Sequence, residues 1–224
     1  MPDVILMSDP RVYAISTDEC GEALLDIRGH TRLLLDSRKA DETGAFAHLR
    51  RGVLDRLLEA ERLLPYGLRL LFVEGYRPPS LQRYFFEEYS DELRLNHPDW
   101  PEDQIRTAAS RHVSPLEIAP HSAGAAVDLT LATADGHELD MGCRLNATPE
   151  ESEGACYTDA ANISAEAAGN RKILAHTLTQ VGLINYPTEW WHWSYGDRYW
   201  ALATGVPAAI YGPRELTGVQ ETSP

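Results

Sequence analysis

The pattern of hydrophobic and polar positions predicts an α+β domain. Apolar residues recur at helical intervals over 42–64, and every four residues from Ser80 to about Leu95, so a helix is predicted in each range. The run 68–73 is apolar and of strand length, and it leads directly into a loop that contains two prolines. A shorter polar helix is predicted over 102–111.

The second half of the chain also contains patterns of both strands and helices. Residues 125–131 alternate, which predicts a strand with Val127 and Leu129 on the core face and Asp128 on the opposite face. No periodicity is visible from 141 to 163, and a loop of that length inside a domain is usually functional or mobile. Ser164 is predicted to cap a helix that ends at Gly182, and a final strand is predicted over 183–194.

Length and charge narrow the class of protein. The 224 residues fit one domain, predicted over 1–213 and followed by a polar tail over 214–224. A net charge of −14 disfavours nucleic acid as a partner, because binding to phosphates depends on clustered Lys and Arg. The first ten residues have no basic segment and only a short apolar run, so we expect no signal peptide, no membrane association and a cytoplasmic location. The oligomeric state is left open.

Three residues offer the ligand types that are found in catalytic zinc sites. His121, Asp128 and His192 offer two imidazole nitrogens and one carboxylate oxygen, a set that leaves the fourth position of the metal open. Glu189 lies three residues before His192, where it could take the proton of an attacking water. Gly124 would let the chain bend between the first two ligands. These residues predict a zinc hydrolase with one metal ion.

The spacing of Glu189 and His192 creates a difficulty for a regular strand. Residues three apart in a strand point to opposite faces, so either a bulge intervenes or Glu189 acts from the end of the strand. The alternative is an aromatic core strand with no site, but a carboxylate and an imidazole among four large rings would be costly to bury without a partner. Arg77, in a loop stiffened by prolines, could stabilise an oxyanion. The remaining histidines, His112 among them, are predicted to be surface or core residues.

Three motifs together resemble one family. Glu74-Gly75-Tyr76-Arg77-Pro78, His121-x-x-Gly124-x-Ala126-x-Asp128 and Glu189-Trp190-Trp191-His192 are similar, in order and spacing, to the VanX-like D-alanyl-D-alanine dipeptidases among the zinc D,D-peptidases of peptidase family M15. The resemblance extends from roughly residue 45 to 200. It implies a single α+β domain of the Hedgehog/DD-peptidase type, in which a small antiparallel sheet carries the zinc site and helices flank it.

The resemblance also implies an activity. His121, Asp128 and His192 would hold zinc, Glu189 would be general base and acid, and Arg77 would polarise the scissile carbonyl. The implied substrate is a small D-amino-acid dipeptide, above all D-Ala-D-Ala, in peptidoglycan precursor turnover. A zinc D,D- or L,D-carboxypeptidase for longer muropeptides and a non-catalytic zinc-stabilised binding domain are the alternatives.

Two departures from the family concern the substrate. Ala119-Pro120 stands where the best-known members have serines. Asn146 stands near the position at which those members have an acidic residue that helps to hold the substrate ammonium. An amide binds an ammonium more weakly than a carboxylate does, so Asn146 is predicted as a weaker substrate-binding residue.

Overall fold

Helices and strands alternate along the chain in the computed structural model, which describes residues 4–30 and 32–216. The helices are α1 (Pro10–Ala14), α2 (Arg51–Leu63), α3 (Pro79–Asn96), α4 (Glu102–Ala109), α5 (Ala165–Gln180) and α6 (Arg198–Thr204). The strands are β1 (Ser16–Thr17), β2 (Leu24–Asp26), β3 (Leu34–Leu35), β4 (His48–Arg50), β5 (Leu68–Glu74), β6 (Ala126–Thr133), β7 (Ile184–Asn185), β8 (His192–Ser194) and β9 (Ala208–Ala209). None of the helices in this part of the chain is long and apolar enough to cross a membrane.

The central sheet has five strands in the order β3-β5-β6-β8-β7. Strand β3 at one edge runs parallel to β5, and the other neighbouring strands are antiparallel. Two small pairings lie outside this sheet, β1 with β9 and β2 with β4. The α+β class is therefore as predicted, with one parallel edge added to the antiparallel sheet.

A bulge in β5 determines which side chains share the functional face of the sheet. Residues Leu68 to Phe72 pair in register with β6, but Glu74 rather than Val73 lies opposite Asp128. Because side chains alternate between faces, the extra residue turns Glu74 to the face that carries Asp128. On the other side of β6, His192 lies opposite Asp128. Glu74, Asp128 and His192 thus form a row across three strands.

The opposite face of the sheet is the main hydrophobic core. Leu129 and Trp193 of the sheet belong to one buried cluster with Leu57 of α2 and Leu178 of α5. Burial of each large apolar side chain contributes about 1.5–3 kcal/mol. A second cluster joins α3 to α4 through Leu93 and Ile105. The sheet is therefore packed against the core on one face, and α3, which packs against α4, forms a wall of the functional face.

Most predicted elements are confirmed, and two predictions are wrong. The helix predicted over 42–64 begins only at Arg51, because residues 48–50 pair with β2 as a strand. The single strand predicted over 183–194 is two short strands, β7 and β8, connected by a turn through 186–191. The pairing of the two strands with each other requires that turn.

The domain limits proposed from the sequence stay a prediction. Residues 217–224 of the predicted tail lie outside the described residues. Arg214, at its start, donates a backbone hydrogen bond to Ser122 (3.0 Å) and a side-chain hydrogen bond to the carbonyl of Glu22 (2.9 Å).

Candidate metal centre and cleft

The three predicted zinc ligands converge on one point of the sheet. His121 Nε2 lies 3.2 Å from His192 Nδ1 and 3.2 Å from Asp128 Oδ1, and the last two atoms are 3.1 Å apart. Zinc bonds of roughly 2.0–2.2 Å in a tetrahedral site would separate two ligand atoms by about 3.3–3.5 Å. The triangle fits a zinc ion, and its residues are at most 5% exposed.

Neighbouring groups orient both imidazoles. His121 Nδ1 lies 2.6 Å from the carbonyl oxygen of Gly75, so Nδ1 carries the proton and the lone pair of Nε2 faces the triangle. His192 uses the other nitrogen, since its Nδ1 is in the triangle while its Nε2 is buried without a hydrogen-bond partner among the described residues. The two rings meet edge to face, 4.8 Å between centroids.

The turn that carries His121 depends on a glycine. His121 begins a short 3₁₀ turn, and Gly124 ends it in the left-handed region at φ 65°. A Cβ on Gly124 would lie 2.2 Å from the Cδ2 methyl of Leu24, so a larger residue would have to displace that side chain as well as adopt an unfavourable backbone conformation. The predicted bend between His121 and Asp128 is confirmed.

The electrostatics of the triangle favour an ionised carboxylate. Burial alone would raise the pKa of Asp128, but the adjoining His121 and His192 rings outweigh that effect and hold the pKa well below its usual range. For His192, burial lowers the pKa, and the opposing influence of Asp128 and Glu189 leaves it raised overall. The carboxylate of the triangle is therefore ionised, as a metal ligand must be.

Glu189 lies in the turn before β8. The alternation of side chains in a strand therefore does not prevent Glu189 and His192 from facing the same site. The carboxylate reaches two histidines: Oε2 lies 3.7 Å from His192 Nδ1, and Oε1 lies 3.1 Å from His112 Nδ1. The prediction that His112 is only a surface or core residue is therefore wrong. Its partner is 77 positions away in the sequence, and no local pattern marks such a contact.

Arg77 is held by the bulged end of β5. Its Nε and Nη2 donate to the two oxygens of Glu74, both at 2.7 Å, and its Nη1 donates to Gln82 Oε1 at 3.0 Å. A guanidinium has five N–H donors, so two remain for another acceptor. The Glu74 carboxylate offsets the cost of burial and keeps the pKa of Arg77 raised. Arg77 is thus a rigid, charged donor at the cleft.

A cleft of about 300 Å³ opens over these groups. Asn146 lies in its wall, as predicted for a substrate-binding residue, and has a left-handed backbone at φ 61°, which Asn tolerates well. The sequence did not point to the cleft positions of Lys39, Glu88 and Glu92. A helical-face analysis of α3 could have found the two glutamates, because they lie four residues apart beside Phe85 and Tyr89.

The aperiodic segment 141–163, here called the cleft loop, is fixed by two charged side chains. Arg171 of α5 donates to the carbonyl oxygens of Met141, Tyr157 and Ala155, each at 2.7 Å. Glu150 accepts from Tyr89 Oη at 2.6 Å and from Arg111 Nη2 at 2.7 Å, which ties the loop to α3 and to the residues after α4. The loop is an ordered wall of the cleft.

Comparison with known proteins places this site in a family. A D-alanyl-D-alanine dipeptidase of Synechocystis sp. is 28% identical over 218 residues, covering 84% of this chain and 87% of its own. One from Enterococcus faecium is 32% identical, covering 64% of this chain and 70% of its own. One from Escherichia coli is 29% identical, covering 56% and 54%.

Two solved structures are similar at low identity. A mutant of the vancomycin resistance D,D-pentapeptidase VanY in complex with Zn(II) has a TM-score of 0.42 at 15% identity, covering 76% of this chain and 83% of its own. The LD-carboxypeptidase LdcB has a TM-score of 0.46 at 17% identity, covering 85% and 77%. The model of one peptidase family matches residues 47–208, which include every residue of the triangle, Glu189 and Arg77. The chain belongs to that family, Peptidase_M15, the D-ala-D-ala dipeptidases.

Proposed function

We propose that the protein hydrolyses the peptide bond of D-Ala-D-Ala with one zinc ion held by His121, Asp128 and His192. One observation supports this above all others: three ligand atoms lie within 3.2 Å of one another at the base of a cleft. The names of the relatives support D-Ala-D-Ala as the substrate, and the small volume of the cleft is consistent with it. Its volume of about 300 Å³ is at the lower end of small-molecule sites, roughly 300–1,000 Å³.

The side chains divide the chemistry among them. A bound zinc ion would supply Lewis-acid polarisation and make water more acidic. Glu189 takes a proton from the attacking water, with its carboxylate held by His112. Arg77 directs its two remaining N–H donors at the carbonyl oxygen as negative charge builds there. Glu189 then passes the proton to the leaving amine, so that one water and one D-Ala-D-Ala give two D-alanines.

The experiment is a substrate comparison with purified zinc-loaded protein. D-Ala-D-Ala, L-Ala-L-Ala and a muropeptide ending in D-Ala-D-Ala are incubated separately, and released alanine is measured by chromatography, with metal-free protein as control. Cleavage of D-Ala-D-Ala alone supports the proposal. Faster cleavage of the muropeptide would show a carboxypeptidase, and zinc binding without turnover of any substrate would show a binding domain.

Asn146 offers a finer test of how the substrate is held. We propose that its amide contacts the substrate ammonium, a neutral contact where an ionised one would be stronger. The substitution Asn146→Asp should therefore lower KM for D-Ala-D-Ala by roughly 10-fold, and Asp also tolerates the left-handed backbone at this position. An unchanged or higher KM would show that the ammonium is bound elsewhere, with Glu88 and Glu92 as the next residues to replace.

A cytoplasmic location and a role in peptidoglycan precursor turnover belong to the same proposal. Both are supported by the nature of the substrate, a free dipeptide of the kind used to build the cell wall. Fractionation of cells that express the full chain, followed by measurement of the free D-Ala-D-Ala pool, tests them. A protein found outside the cytoplasm, or an unchanged pool, would contradict this assignment.

A further inference from the structure

Cationic side chains in the cleft are already paired, with one exception among the described residues. Arg77 is bound by Glu74, and Arg144 donates to Glu151 at 2.6 Å. Lys39, in the segment after β3, also lines the cleft. Its ammonium group lies over an aromatic ring, and it forms no ion pair with a carboxylate in the described part of the chain.

The position of Lys39 relative to Arg77 is set by Phe85 of α3. Lys39 Nζ lies 5.4 Å from the centroid of the Phe85 ring, and Arg77 Cζ lies 5.1 Å from the same centroid. The two cations are therefore no more than about 10.5 Å apart, the sum of those distances. All three residues line one cleft.

A separation within that bound can be spanned by one amino-acid residue. Successive units of a peptide repeat every 3.8 Å across a trans bond, and a hydrogen bond from a charged nitrogen to oxygen spans about 2.7–3.2 Å at each end. A carbonyl held by Arg77 and a carboxylate one residue further along could thus bridge two cations that are up to about 10 Å apart.

We propose that Lys39 binds the C-terminal carboxylate of the substrate, so that the enzyme releases a single residue from that end. The proposal rests on the peptidase function proposed above and adds the group that recognises the chain end. The Phe85 ring then packs against the side chain of the released residue. In a protein of net charge −14, with Glu88, Glu92 and Glu189 in the same cleft, a carboxylate needs such a fixed cation to enter.

A purely structural role for Lys39 makes a different prediction. If Lys39 served only to pack its stem against Phe85, then Met, which has a similar unbranched stem, would replace it without effect on substrate choice. If Lys39 recognises a carboxylate, Met should reduce activity only towards substrates that carry one.

The experiment compares D-Ala-D-Ala with D-alanyl-D-alaninamide, which lacks the carboxylate, in the zinc-loaded wild-type protein and in Lys39→Met. We expect the wild type to prefer the acid over the amide in kcat/KM by about 10- to 100-fold, and Lys39→Met to lose most of that preference through a higher KM. Lys39→Arg, which keeps the charge, should retain the preference. Melting temperatures establish that each variant is folded.

The sequence provides a matched control, because Lys172 is its other lysine. Lys172 lies on α5 away from the cleft, so Lys172→Met should behave like the wild type. A Lys39→Met protein that keeps the full preference for the acid would overturn the role of Lys39 and leave the peptidase function intact. A wild type that cleaves neither compound would overturn both.

Discussion

The two oxygens of the Glu189 carboxylate lie near two different histidines. One oxygen lies 3.1 Å from His112, outside the ligand triangle, and the other lies 3.7 Å from His192, inside it. When one oxygen of a carboxylate is fixed by a contact, the orientation of the other oxygen is fixed as well. Less ordering of the side chain is then needed when the substrate binds. This other oxygen is the one next to the proposed metal position.

Replacement of Glu189 by Gln tests that arrangement. The amide has the shape of the carboxylate but cannot accept a proton, so kcat should fall by roughly 100-fold or more, the size of general acid–base catalysis. Zinc content should be unchanged, because Glu189 is outside the proposed ligand set. Steady-state kinetics and metal analysis check the two results. Retention of activity in the zinc-loaded variant would mean that another group activates the water.

Arg77 should matter more to the transition state than to substrate binding. Removal of the whole side chain would leave Glu74 buried and unpaired, at a cost of about 3–5 kcal/mol, so Arg77→Lys is the better variant. Lys keeps the positive charge but loses the planar fork, and kcat should fall more than KM rises. A change confined to KM would instead make Arg77 an anchor for substrate binding.

At the scale of elements, the cleft loop depends on Glu150. Burial would raise the pKa of Glu150, but hydrogen bonds from Tyr89 and Arg111 outweigh it and leave the pKa lowered. Because the pKa of Glu150 is lowered in the folded state, its contacts contribute their full stability at pH values above the pKa of the unfolded state. That stability is lost as the pH falls through the pKa of the folded state. The loop should therefore be held at neutral pH and loosened in acid.

Glu150→Gln should loosen the cleft loop at neutral pH as well. Loss of the charged acceptor removes about 1–2 kcal/mol of local stability, which corresponds to roughly 5- to 30-fold faster amide exchange over 141–163. Hydrogen–deuterium exchange with mass spectrometry measures this. Glu153→Gln, in the same loop but without a recorded side-chain partner, is the control. Equal exchange in the two variants would show that Glu150 does not hold the loop.

The sequence predicted elements better than it predicted pairings. Helix α3 and strands β5 and β6 follow from local periodicity, and the three proposed ligands lie in two local motifs. By contrast, β4 forms because residues 48–50 meet β2, and His112 matters because it meets Glu189. Both contacts join residues distant in sequence, so no window of the chain contains their cause.

For the whole molecule, the proposed metal joins separate parts of the fold. Its ligands come from a 3₁₀ turn, from β6 and from β8, which meet only in the folded sheet. A metal that binds only the folded state at about 1,000 times its dissociation constant adds about 4 kcal/mol. In a protein of this size, each kcal/mol corresponds to about 2–4 °C of melting temperature.

Removal of zinc should therefore lower the melting temperature by about 10 °C. Calorimetry of zinc-loaded protein with and without a chelator measures the difference. Asp128→Asn, which lacks one ligand charge, should show a much smaller response to the chelator. If the wild type and Asp128→Asn respond equally, the metal is bound at other residues.

Arg171 has a consequence for how new specificities could arise in this scaffold. It binds the cleft loop through main-chain carbonyls, which every amino acid possesses, so these three contacts do not depend on which side chains the loop carries. Substitutions at Arg144, Asn146 and Thr148 would leave these three main-chain contacts in place. Natural variation or directed evolution could retune substrate choice by single substitutions in the loop, without rebuilding the catalytic machinery behind it.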